Sequence, residues 1–214
     1  MRIRITFSKQ GPLRYTGHLD LHKLWERAAR RAELPLAYSQ GFHPQPRMSL
    51  AAALPLGFSS VCEVLDMRLD REIGLEGLAE RLNNTLPPGV RVTRVEQVDE
   101  REPALQTQVE SAEYRVTFAG SSPGSDLKRR IQSALESESI PRERRGKPYD
   151  LRPLIEALEV SDDTISMRLA AREGATGRPE EVLSVLGIAF EDTKIERTRL
   201  IFQRPSEPQS AQRF

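Results

Sequence analysis

Residues 14–57 hold all three histidines of this 214-residue chain (His18, His22 and His43) and its only tryptophan, Trp25. His18 and His22 are four apart, so on a helix they share a face and can bind a metal, with His43 as a third ligand. No acidic residue stands at a spacing that obliges this, and no metal or other cofactor is expected. The same pieces permit metal-free RNA cleavage, in which a histidine takes the 2′-hydroxyl proton while Tyr15, a lysine or an arginine stabilises the phosphorane. A third chemistry is binding. Tyr15, Tyr38 and Phe42 are flat groups in turns and loops, and Arg14, Lys23, Arg27, Arg30, Arg31 and Arg47 are cations around them. Nucleic-acid-binding surfaces combine aromatics for stacking with cations for phosphate, and Ser39 and the histidines add hydrogen bonds. Binding fits these residues best, so a binding protein is expected rather than an enzyme. The plainer reading of Tyr38 and Phe42 is that they fill the core beneath their loop.

These side chains need a support, and the sequence supplies one. Leu21, Leu24, Trp25, Ala28, Ala29 and Ala32 follow the i, i+3, i+4 rhythm of a helix with one buried face. Asp20 is the expected cap, with His18 and Leu19 leading in, and Pro35 stops the helix. Lys23, Arg27, Arg30 and Arg31 fall three or four residues apart on the outward side, as one cationic stripe. The segment Tyr38-Ser39-Gln40-Gly41-Phe42-His43-Pro44 then reads as an elaborate loop on a rigid base. Charge is concentrated here: net +6 over residues 1–50 against −5 over the rest, which suggests an anionic partner.

Arg2 to Lys9 alternates as a half-buried strand. Ala37 to Ser39 and Arg47 to Ala53 are candidate short strands, Phe58 to Leu69 a longer one, Gly74 to Leu86 a second helix and Val90 to Val98 a further strand. That is the β-α-β-β-α-β order of a ferredoxin-like fold. After the polar stretch Asp99 to Glu110 the order recurs. Tyr114 to Phe118 is a strand, with Arg115-Val116-Thr117-Phe118 echoing Arg4-Ile5-Thr6-Phe7. Ser121 to Ser125 is a loop ending in a cap, and Leu127, Ile131, Ala134 and Leu135 mark a helix. Ile140 to Tyr149 is a strand or hairpin, with a basic turn of Arg142, Arg144, Arg145 and Lys147 beside Tyr149. Asp150 to Val160 is a helical turn or a strand, Thr164 to Ala171 a strand, Pro179 opens a helix that Gly187 ends, and Ile195 to Phe202 is the last strand. The expected fold is α+β: two tandem ferredoxin-like (βαββαβ) domains at 1–99 and 113–203, a linker at 100–112 and a flexible tail at 204–214.

Cys62 is the sole cysteine, which excludes an internal disulfide and an all-cysteine metal site, and it reads as a packed strand residue. The sequence contains no glycine-rich phosphate loop, H-E-x-x-H, G-x-S-x-G or three-cysteine cluster motif. No apolar stretch is long enough to span a bilayer, and a cytoplasmic location with no membrane partner is expected.

The segments YTGHLDL, YSQGFHPQPRMS, LPLG and CEVLDMRL, with KPYDLRPLIEAL and GRPEEVLSVLG in the second half, resemble the bacterial radical SAM-linked (radical SAM-associated) proteins, a domain of unknown function. The resemblance covers nearly the whole chain and looks like the free-standing form. It implies a separately encoded radical SAM enzyme as partner, with cluster and S-adenosylmethionine on that other chain, and brings no established catalytic residue. Tandem ferredoxin-like domains also look like RNA-processing proteins of the CRISPR repeat-binding kind, in architecture only. The expectation is a non-catalytic accessory protein binding an anionic substrate such as RNA through its N-terminal domain. The alternatives are a metal-independent RNA-cleaving enzyme and a protein–protein docking module.

Overall fold

Ile3, Ile5 and Phe7 alternate with polar neighbours and build β1 (Arg2–Lys9), where all three are fully buried. The computed structural model describes residues 1–118, 120 and 126–203. After a 3₁₀ turn at Gly11–Tyr15 comes α1 (His18–Arg31), which buries Leu21, Trp25, Ala28 and Ala29. Asp20 does not cap this helix. Gly17 is the N-cap, no side chain bonds there, and His18 and Leu19 are already helical. Asp20 instead lies in the first turn, where a carboxylate complements the helix dipole.

β2 (Met48–Leu50) is shorter than expected, and Tyr38 makes only an isolated bridge to Pro46. β3 (Ser59–Arg68) follows, then α2 (Leu78–Asn83) and β4 (Val90–Val98). The second helix was expected over 74–86, but Gly77 at its N-cap has φ +67°, a left-handed conformation that no helix can run through. Gly89 closes the turn before β4. A Cβ there would stand 2.7 Å from the Gln10 carbonyl oxygen, so the turn seats on the end of β1 only with glycine.

The second half runs β5 (Val109–Phe118), α3 (Leu127–Glu136), β6 (Pro141–Arg144), β7 (Lys147–Asp150), β8 (Ile155–Ser161), β9 (Thr164–Arg172), β10 (Ala175–Thr176), α4 (Pro179–Val185) and β11 (Thr193–Phe202). The polar stretch before β5 is tied down: Arg2 donates to the Glu102 and Pro103 carbonyls, and Leu105 is buried in a 3₁₀ turn at Leu105–Gln108. β5 thus starts inside the stretch read as a linker. β6 and β7 form a separate hairpin, and Arg152–Leu154 is a short 3₁₀ turn leading into β8. The Ser121 to Ser125 loop and the tail from 204 lie outside the described residues.

The result is a mixed α+β fold with few helices around one large, mostly antiparallel nine-stranded sheet, ordered β10-β9-β5-β11-β3-β1-β4, with β2 on β3 and β8 on β9. Within it the first half is ordered β2-β3-β1-β4 and the second β8-β9-β5-β11. The echoing tetrapeptides occupy the same place in each. Ile5 lies between Leu65 and Val95, and Val116 between Ile165 and Ile195.

Two apolar cores result. One packs α1 and α2 on β1, β3 and β4; the other packs α3 and α4 on the second set of strands. Ala51, Leu54, Phe58 and Val64 belong by sequence to the first half but bury themselves in the second core. The seam is a parallel contact of β11 with β3, Glu196 opposite Ser59 and Arg197 opposite Ser60. Further along the same edge β3 pairs with β2 instead, at Leu65, Asp66 and Met67. The sheet therefore forks where β11 leaves β3. Arg197 sits at the fork, bonded to Glu63 (3.0 Å), the Ala53 carbonyl (2.7 Å) and the Tyr114 hydroxyl (3.3 Å).

Candidate nucleic-acid interface

α1 projects Lys23, Arg27 and Arg31 at successive four-residue intervals, and all three line one groove of about 550 Å³ beside the turn before β4. Among the described residues none of the three has a carboxylate within 4.0 Å. Among the described residues Asp20 is the single acidic side chain lining the groove, which leaves a local charge of about +2. Unpaired cations held four apart by a rigid helix offer anionic oxygens donors without first breaking an ion pair.

The expected single stripe is divided. Arg30 turns away from Lys23, Arg27 and Arg31: it pairs with Glu26 (2.7 Å), donates to the Tyr38 hydroxyl (3.1 Å) and lies 5.8 Å from that ring's centre. Tyr38 is half-buried against the first core, so it is an anchor for the following loop. Ser39 closes that loop, accepting from the Gln45 amide on its hydroxyl and donating its own amide to the Gln45 carbonyl. Phe42 and His43 stand exposed at its tip, so Phe42 fills no core. Arg47 lies in a different groove, with Arg2, Asp66, Arg68 and Glu102.

Arg14 and Tyr15 ride on the 3₁₀ turn before α1. Arg14 donates to the Tyr15 hydroxyl (2.8 Å) and covers one face of the ring at 4.8 Å, while Tyr15 remains 63% exposed. The turn is held from below by Lys9, whose ammonium donates to the Thr16 carbonyl (2.9 Å). Burial pushes the Lys9 amine below its usual range, with Glu63 opposing the shift. Sequence reading missed Lys9, although it continues the inward series Ile3, Ile5, Phe7. Thr16 lines the groove with Lys23, so the turn and the cationic face adjoin.

His18 and His22 share a face, and it is not the face of the groove. Both line the cleft at the fork of the sheet, and His22 Nε2 lies 3.4 Å from the Met48 carbonyl oxygen. His43 is not among the cleft's lining residues. Among the described residues no three His, Cys, Asp or Glu side chains converge as a metal site. Cys62 is half-buried, and burial pushes its thiol up to about 11. In the second half Arg144 is committed: it binds Glu181, the Thr176 carbonyl and the Tyr149 hydroxyl, locking the β6–β7 hairpin to α4. No helix among the described residues is long and apolar enough to cross a membrane.

Residues 2–179 match the model of a family described as "Uncharacterized protein conserved in bacteria (DUF2344)", and the chain belongs to that family. No curated protein matches it. Among solved structures, one chain of a Cbf5-Nop10-Gar1 complex is similar at 13% identity and TM-score 0.45; the match covers 95% of this chain but only 50% of that one. An unknown protein from Galdieria sulphuraria is similar at 11% identity and TM-score 0.28, covering 94% and 98%. Likeness this low establishes neither a shared fold nor a shared activity.

Proposed function

We propose that this is a non-catalytic accessory protein, built on two tandem ferredoxin-like units, that holds an anionic, RNA-like substrate in the α1 groove for a separately encoded radical SAM enzyme. The observation that carries the reading is that Lys23, Arg27 and Arg31, without carboxylate partners among the described residues, line one groove. Tyr15, on the turn whose Thr16 lines the groove, is an exposed ring on which an unpaired base can stack. The radical SAM partner rests on the segment resemblance described above. A cleaving role is less well supported, because acid and base must flank one phosphate, and His18 and His22 line another cleft.

The test is fluorescence anisotropy of a labelled single-stranded oligoribonucleotide across a salt series. Three single-strand phosphate contacts give a log–log salt slope of about −2. Lys23→Glu/Arg27→Glu/Arg31→Glu should flatten that slope and weaken binding at least tenfold, with the circular dichroism unchanged. Equal affinity of the folded triple variant and the wild type overturns the assignment. Co-purification of the enzyme that survives nuclease treatment would separate a protein contact from RNA tethering.

A further inference from the structure

The cleft at the fork is a second site, and its unsatisfied groups describe what it takes. It occupies about 800 Å³ between the two halves, with Arg197 and Tyr114 in its wall. Three groups there lack partners among the described residues. Arg197 is 2% exposed, yet its Nε has no hydrogen-bond partner. Glu180, at the start of α4, has a buried Oε2 with none. The third is the outer edge of β2. Arg68 donates to the Arg47 carbonyl and Ala51 to the Val64 carbonyl, which fixes the register of the pair. By strand alternation the Leu50 N–H and C=O then point away from β3, and among the described residues no other strand pairs with β2. Beyond β2 the wall continues as Ala51, Ala52 and Ala53, of which Ala53 is exposed.

Buried polar groups without partners are costly, and a free strand edge is a template for another strand. One ligand class satisfies all three at once. We propose that the cleft binds an extended polypeptide segment carrying a lysine or arginine side chain. The segment adds to the Leu50 edge of β2, its cation meets Glu180, and a main-chain carbonyl accepts from Arg197 Nε. Charge supports this occupant over a phosphate. Arg197 is already neutralised by Glu63 and Arg172 by Glu156 (3.6 Å), so Glu173 and Glu180 outnumber the remaining cation, Arg178. The site is distinct from the α1 groove and does not depend on the RNA reading.

The probe is N-acetyl-arginine methylamide, one residue with both main-chain amides and a cationic side chain, titrated into ¹⁵N-labelled full chain. Saturable shifts are expected at the Leu50 amide and the Arg197 Nε–H, with N-acetyl-norleucine methylamide at least tenfold weaker. Glu180→Gln should weaken the arginine probe tenfold or more. Ala53→Trp, at an exposed position in the cleft wall, should abolish the shifts and guards against a Glu180 variant that fails to fold. Lys23→Glu/Arg27→Glu/Arg31→Glu should leave them unchanged. The proposal is overturned by absence of saturable shifts at Leu50 and Arg197, by equal binding of the two probes, or by undiminished binding to folded Glu180→Gln.

Discussion

The α1 groove and the fork cleft handle charge in opposite ways. In the groove, Lys23, Arg27 and Arg31 are exposed and have no carboxylate partner among the described residues. At the fork, Arg197 and Glu63 are each 2% exposed and bonded to one another. Burial works against the Arg197 charge, but Glu63 and the Tyr114 oxygen outweigh it and hold the guanidinium well above its ordinary range. The first arrangement leaves charge free for a ligand. The second commits it to joining β3, β5, β11 and the Ala51–Leu54 segment, and the groups it leaves without partners among the described residues are buried.

The largest expected effect breaks the fork. Glu63→Ala leaves a buried arginine uncompensated, and losing one partner of a buried pair costs about 3–5 kcal/mol. At about 2–4 °C per kcal/mol for a chain of this size, the thermal midpoint should fall by roughly 10 °C. Glu63→Leu with Arg197→Met removes both charges and should recover most of that loss in denaturant unfolding. A single variant as stable as the wild type would show that the fork does not depend on the pair.

The groove should respond in the reverse sense. Lys23→Gln/Arg27→Gln/Arg31→Gln removes two like-charge i, i+4 contacts and should raise stability by about 0.4–1 kcal/mol while lowering RNA affinity. A stability loss above that size would mean the three cations are structural after all. Smaller still is Arg30→Ala. Its solvent-exposed pair with Glu26 adds little to stability, so the thermal midpoint and the RNA affinity should both hardly move. Last is the Cys62 thiol, beside the fork with its Sγ 3.6 Å from the Arg197 carbonyl oxygen. Its native value of about 11 exceeds the ordinary 9.0, so the unfolded chain ionises first and stability declines as pH rises from 9 to 11. In Cys62→Ala that part of the decline should vanish; an identical pH profile would refute the assignment.

Much of this was legible in the sequence because it is local. Period-two alternation located β1, and period-3.6 apolar spacing located α1 and its solvent face. The Arg30 departure was less legible, since Glu26 and Tyr38 compete for it from opposite directions in the chain. Asp20 and the second helix were misjudged for local reasons too: Gly17 replaces a side-chain cap, and the left-handed Gly77 cuts α2 short. Arg4–Phe7 and Arg115–Phe118, which echo one another, each lie on a strand flanked by two antiparallel neighbours, a placement that composition alone does not reveal.

The amphipathic helix and the cationic character of its outer side follow from neighbours within a few residues, so the sequence already held them; which of those cations share a groove it did not hold. Tertiary structure alone decided the fork. Its groups come from residues 50, 63, 114, 180 and 197, brought together by strand pairing across more than a hundred positions. No periodicity encodes such a meeting, since a buried ion pair and an unpartnered carboxylate acquire their meaning only when water has been excluded from both sides.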